Sequence, residues 1–268
     1  MTAPARPEPK GAVARLWPAI GRRPRGARLW RTDRPRVWAH RGASAHATEN
    51  TLAAFELAVA HGADGIELDV LTCATGEVVV FHDDDLRRLA GRPERIGDLT
   101  WAELARVELA GGQRIPRLED ALVAAGALEV NVELKAVRPG RPGPLAAATA
   151  AAIARVRADD RVLISSFDPV ALVQLHLAAP HLPLAFLFDA KLPRPLRAPT
   201  VGMLAGASAL HPEQALCTAE TIADWHRRGF AVNTWTVDDP ERLAALSAMG
   251  VDGVFANDPR AARAALAR

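Results

Sequence analysis

The sequence predicts a (β/α)8 barrel of the TIM type. Short apolar runs rich in Val, Ile, Leu and Phe alternate from Val37 onward with Ala-rich segments of helical period. Polar pairs close most of those runs, and the C-terminal strand ends are where a parallel barrel builds its site. The length of 268 residues accommodates one barrel of roughly 250 residues and a short arm. With 49% hydrophobic and 24% charged residues, the chain has the balance of a domain that buries a substantial core.

Taken in order, the strands are expected at Val37–His40, Ile66–Val70, Val78–His82, Glu129–Lys135, Val162–Ser166, Leu184–Phe188, Ala207–Leu210, Phe230–Val237 and Gly253–Ala256. That is one more than a barrel needs. The link between the second and third is too short for a helical crossover, which takes a dozen residues or more, so the barrel should be irregular there. Helices are expected at Leu52–His61 behind a Glu49-Asn50-Thr51 cap, and at Leu118–Ala125, Pro144–Ala158, Pro169–Ala178, Ala219–Arg228 and Pro240–Met249. Arg138 to Pro144 reads as a loop. The organisation is therefore an Arg/Pro-rich arm over residues 1–36, a single barrel domain over 37–262, and a helix end over 263–268.

A net charge of +2 is too small for a dedicated nucleic-acid binder. Cys73 and Cys217 lie far apart without metal-ligand spacing, so neither a disulfide scaffold nor a zinc site of cysteines is expected. The longest apolar stretch of the arm, around Leu16 to Ile20, is short for a signal peptide, and no apolar run approaches the ~20 residues of a membrane span. A cytoplasmic protein is the expectation. The arm, with Trp17 and Trp30, reads as a solvated tail, and its basic strip allows weak contact with anionic lipid heads as the second reading. Oligomeric state is left open.

Alternation along a strand puts Glu67 and Asp69 on one face, with Ile66, Leu68 and Val70 on the other. It also aligns Glu129, Asn131, Glu133 and Lys135. On a half-exposed strand such polar faces simply meet water, but in a barrel both faces are covered and inward polar groups need partners. Clustered carboxylates raise one another's pKa unless a cation neutralises them, and all-oxygen ligands favour one hard divalent ion, Ca²⁺ or Mg²⁺. His40 and His82 close two separate strands, where an imidazole acts as acid or base. The other six histidines (His46, His61, His176, His181, His211 and His226) read as surface, capping or packing residues. The chain holds 33 Lys and Arg residues, but its only lysines are Lys10, Lys135 and Lys191, so a lysine at a strand end points to a site that wants a compact ammonium.

Together these segments resemble the glycerophosphodiester phosphodiesterase family. The match runs through His40-Arg41-Gly42, Glu49-Asn50-Thr51, Gly62-Ala63-Asp64, Glu67-x-Asp69-Val70 and Val80-Phe81-His82-Asp83. It continues with Ile115-Pro116-x-Leu118, Glu133-x-Lys135, Ser165-Ser166-Phe167, Trp235-Thr236-Val237 and Gly250-Val251-Asp252-Gly253, in the family's order. The chain departs from the family at Thr48, at Thr75-Gly76 and at Ala256-Asn257. The resemblance implies a TIM-type barrel that hydrolyses small-molecule glycerophosphodiesters to glycerol 3-phosphate and an alcohol. By position it implies Glu67, Asp69 and Glu133 as metal ligands, His40 and His82 as the acid/base pair, Arg41 and Lys135 as phosphate ligands, and Trp235 on the glycerol side. The rivals are a related barrel cleaving intact or lyso-phospholipids, and a silent barrel that only binds a phosphorylated ligand.

Overall fold

The structure is a computed structural model that describes residues 34–135 and 143–267. The arm to residue 33, with Trp17 and Trp30, and most of the Arg138 to Pro144 loop lie outside the described residues.

Eight parallel strands close into a barrel in the order β1 (Arg36–His40), β2 (Gly65–Thr72), β6 (Glu129–Leu134), β7 (Val162–Ser166), β8 (Leu184–Phe188), β9 (Ala209–Pro212), β10 (Ala231–Thr234) and β11 (Gly253–Ala256), with β11 pairing back onto β1. The surplus strand of the sequence reading is β3 (Val78–Val80). It runs antiparallel to β2, with Val70 opposite Val80 and Thr72 opposite Val78, so it is a hairpin arm outside the ring. The five residues between the two strands permit a hairpin and forbid a crossover. Chain from β3 to Pro116 then folds as an insertion carrying the short helices α2 (Arg87–Ala90) and α3 (Trp101–Leu104) and a small antiparallel pair, β4 (Glu108–Leu109) and β5 (Gln113–Arg114). Its own buried cluster includes Leu71, Phe81, Leu86, Ile96, Leu104 and Ile115.

The helices α1 (Leu52–Ala60), α4 (Leu118–Ala124), α5 (Leu145–Arg155), α6 (Pro169–Ala178), α8 (Ala219–Arg227) and α9 (Pro240–Ala248) lie where the sequence reading put them, within a few residues at their ends. The cap of α1 is narrower than expected: Thr51 alone accepts from Ala54 N, and Glu49 and Asn50 are engaged elsewhere. Among the described residues, four α-helices lie outside that list: α2 and α3 of the insertion, α7 (Pro199–Leu204), and α10 (Pro259–Leu266), of which the sequence reading expects only the end over 263–268. α7 is six residues in a proline-rich stretch, and α10 starts at a proline behind the Asp258 cap. Strand β10 is shorter than expected because pairing beyond Thr234 reduces to a single bridge between Trp235 and Glu213. Among the described residues, no helix is long and apolar enough to cross a membrane.

Strand alternation divides the core in two. Val37, Ile66, Leu68, Val130, Val132 and Ile164 pack outward beneath the helices, while Trp38, Leu163, Ala185, Ala209, Ala231 and Phe255 fill the inside of the ring. Trp38 is the plug, fully buried and stacked on Phe255 with centroids 6.0 Å apart. Its indole occupies the space that side chains would take at Gly65 and Gly253: a Cβ at Gly65 would stand 2.5 Å from the Trp38 ring and 2.8 Å from Glu129 O, and one at Gly253 2.9 Å from Trp38 Nε1. Above the plug, His211 is 0% exposed, with Nε2 accepting from Asn233 Nδ2 at 2.9 Å and its ring edge-on to Phe255. Burial pushes its pKa down from 6.5 to about 3.

Two consequences are measurable. Gly65→Ala forces the Trp38 ring and the Glu129 carbonyl apart and should destabilise by roughly 1–3 kcal/mol in urea unfolding, whereas Gly143→Ala, with no atom within 4 Å of the added methyl, should change little. His211 stays neutral in the folded state while the unfolded chain protonates it near 6.5. Stability from this group is therefore complete above that value and falls by about 1.4 kcal/mol per pH unit as pH drops from there toward about 3. His211→Gln should flatten that acid limb, and an unchanged slope of stability against pH would contradict the assignment.

Candidate active site

The β1 strand ends in a left-handed turn that needs glycine at position 42. Arg41 and Gly42 both take left-handed backbone, at φ 57° and 82°, and a Cβ at Gly42 would lie 2.7 Å from the Ala54 backbone. The turn aims the Arg41 amide at Glu67 Oε2, 2.9 Å away. Neighbouring β2 and β6 are in register, with Asp69 opposite Glu133 and Glu67 opposite Asn131. One oxygen from each of Glu67, Asp69 and Glu133 therefore lies within 4.8 Å of the other two. Lys135 bonds Glu133 Oε1 at 2.8 Å and reaches Asp69 Oδ1 at 3.3 Å. Arg41 Nε stands 3.4 Å from Asp69 Oδ2, which also accepts from Asn50 Nδ2 at 2.9 Å.

Burying like charges has the expected effect. Desolvation, reinforced by Asp69 and Glu133, pushes the Glu67 carboxyl well above the usual range. Burial also lifts Glu133 to about 7 against the opposing charge of Lys135. Asp69 is equally buried, but Lys135, Arg41 and His82 outweigh desolvation and hold it low. Lys135 is raised, since Glu133 and Asp69 overcome its desolvation. Three oxygen donors whose shared negative charge exceeds what their neighbours neutralise fit a hard divalent cation, so the residues present suit the ion that the resemblance implied.

His40 and His82 border the same cleft, which encloses about 180 Å³. His40 Nδ1 is 2.8 Å from Asn257 Oδ1. The amide orientation of Asn257 is set by Asp238, which accepts from both its Nδ2 and its backbone N. An acceptor at Nδ1 places the His40 proton there and turns the Nε2 lone pair away from Asn257. Burial, then the charge of Arg41, lowers the His40 pKa. His82 Nδ1 meets the Asp83 carboxylate at 2.7 Å. Asp83 is bonded in turn to Arg88 Nε at 2.6 Å, and Arg88 forks onto both oxygens of Glu49, which pairs with Arg41 at 2.9 Å. The opposite wall of the cleft is apolar, built from Phe167, Leu187, Trp235 and Phe255. Trp235 donates to His211 O and receives Phe167 edge-on, with centroids 5.5 Å apart.

All eight residues singled out from the sequence thus converge on one end of the barrel. Several others there were missed. Glu49 and Asn50 had been read only as a helix cap; Asn131 carried a signal in its inward register; Asn257 was noted only as a departure from the family pattern. Arg88 had none, being one arginine among many.

Comparison with known proteins agrees. The pattern of the "Glycerophosphoryl diester phosphodiesterase family" matches residues 40–261. A glycerophosphodiester phosphodiesterase of Caldanaerobacter subterraneus subsp. tengcongensis is 33% identical over 232 residues, 83% of this chain and 94% of that protein. An Oleispira antarctica phosphodiesterase solved with the product sn-glycerol-3-phosphate superimposes with TM-score 0.78 at 28% identity, over 88% of this chain and 98% of that one. The glycerophosphodiester phosphodiesterase of Thermotoga maritima gives 0.70 at 27% identity, over 86% and 97%. With the barrel, the strand-end residues and these relatives in agreement, this chain belongs to the glycerophosphoryl diester phosphodiesterase family.

Proposed function

We propose that the protein hydrolyses glycerophosphodiesters to sn-glycerol 3-phosphate and an alcohol, with His40 and His82 as the acid/base pair of a divalent-metal-dependent reaction. The observation that carries this reading is the meeting of Glu67, Asp69 and Glu133 with Lys135, Arg41 and two imidazoles in one cleft. The product bound to the Oleispira antarctica relative supports the substrate class. Glu67, Asp69 and Glu133 would hold the cation, Ca²⁺ or Mg²⁺, which when bound neutralises the carboxylates and polarises the phosphoryl group.

Lys135 and Arg41 offset the charge that grows on the phosphoryl oxygens. His40, half-buried, neutral and holding its proton at Nδ1 against an amide, is the base: its Nε2 takes the proton from the attacking water or neighbouring glycerol hydroxyl. His82 is the acid. The Asp83 carboxylate 2.7 Å from its Nδ1 orients the ring so that Nε2 delivers a proton to the alcohol oxygen as its bond to phosphorus breaks. Trp235 and Phe167 take the carbon skeleton of the substrate on the apolar wall. A soluble glycerophosphodiester turned over faster than the matching lyso-phospholipid supports this reading over the phospholipase one.

Chelation should abolish turnover, and added Ca²⁺ or Mg²⁺ should restore it; full activity in a metal-free sample would refute the metal-dependent reading. His40→Ala and His82→Ala should each lower kcat by roughly 10²- to 10⁴-fold with unfolding midpoints near wild type, while the outlying His176→Ala and His181→Ala should leave kcat near wild type. Lys135→Met should depress both binding and turnover. Lys135→Arg should rescue only partly, because a planar fork replaces a compact ammonium held between Glu133 and Asp69. An arginine variant equal to wild type in kcat/KM would show that charge alone suffices.

A further inference from the structure

We propose that His46, His61 and Asp258 form a second metal site, outside the catalytic cleft, for a borderline transition ion of the zinc class. The three side chains come from separate elements: His46 from the loop after β1, His61 from the C-cap of α1, and Asp258 from the N-cap of α10. One donor atom of each lies within 4.8 Å of the other two. His46 Nε2 is 2.8 Å from Asp258 Oδ2, and the His46 and His61 rings meet edge to face with centroids 5.4 Å apart. Tetrahedral donors around an ion at ~2.0–2.1 Å stand roughly 3.4 Å from one another, so small side-chain rotations close the set.

One observation favours a ligand here, and the helix cap leaves a second donor oriented for it. His61 Nδ1 is enclosed and has no hydrogen-bond partner, a deficit that a built polar group rarely tolerates. The Asp258 carboxylate is already oriented from behind, Oδ1 accepting from Ala261 N at 3.0 Å, which leaves Oδ2 toward the imidazoles. His46 is nearly half exposed at 46%, so a water completes the coordination from outside. The donor chemistry separates this cluster from the cleft. Two imidazoles and one carboxylate prefer zinc-class ions, whereas Glu67, Asp69 and Glu133 offer only oxygens and prefer Mg²⁺ or Ca²⁺. None of His46, His61 and Asp258 lines the cleft.

The placement gives the site a consequence. Asp258 follows Asn257, the residue at His40 Nδ1, and the Ala45 amide donates to Asn257 O at 3.1 Å. Ser44 Oγ lies 2.8 Å from His40 O and 3.0 Å from Asn257 Oδ1. An ion on His46 and Asp258 therefore fastens the loop after β1 to the segment that supports His40, and to the end of α1 through His61.

The test uses the full chain with excess Mg²⁺ present to occupy the carboxylates. Co²⁺ is titrated as the probe, read by its visible absorption and by the shift in Tm, with Zn²⁺ as competitor. The expected result is one equivalent of Co²⁺ bound and displaced by Zn²⁺, a raised Tm, and a loss of affinity of at least ~10-fold in His46→Gln and in His61→Gln. Asp258→Asn, which keeps a helix-capping oxygen, should weaken binding likewise and serves if a histidine variant fails to fold. Unchanged Co²⁺ affinity in the His46→Gln/His61→Gln double variant, or binding lost only in Glu67→Gln, would overturn the proposal.

Discussion

Like charge held out of water is the constraint around which this barrel is built. Glu67, Asp69 and Glu133 are brought together by the register of β2 and β6. Desolvation of such a group costs several kcal/mol per ion unless it is answered nearby. Lys135 and Arg41 answer it in part, and each is itself held by the backbone: the Lys135 amide continues the β2–β6 ladder onto Val70 O at 3.2 Å, and the left-handed turn at Arg41 fixes where its guanidinium starts.

From that centre the demand for partners spreads outward. Arg41 needs Glu49, Glu49 takes the fork of Arg88, and Arg88 reaches Asp83, which orients His82. A single chain of alternating charges thus links both imidazole-bearing strand ends across the insertion that interrupts the barrel. On the other side, Asp238 fixes Asn257 and Asn257 fixes His40. The two histidines have supports of different chemistry, a carboxylate for one and an amide for the other.

Period and chemistry made most of this legible in advance. The alternation at Glu67 and Asp69, and from Glu129 to Lys135, is strict enough to place those side chains inside a barrel once the fold is granted, and the scarcity of lysine singled out Lys135. Legibility failed where a residue works through a distant partner. Asn257 and Asp238 act across a gap in sequence to His40, and Arg88 stands in an insertion with no periodic pattern. Glu49 and Asn50 precede a helix and resemble a cap, but their side chains bond instead to Arg41 and Asp69. The extra strand misled only as a count, since the short link before Val78 already implied irregularity and a hairpin is the geometry that short links allow.

The indole of Trp38, seated against two glycines and stacked on Phe255, leaves the ring no through-passage. A phosphodiester that enters at the strand ends has no rear exit, so water, alcohol and glycerol phosphate share one doorway. On the proposed reading, the fragment that keeps the phosphate is the one Lys135 and Arg41 would hold back at that doorway. A barrel closed at its base thus makes release of one product and entry of the next substrate compete for the same opening.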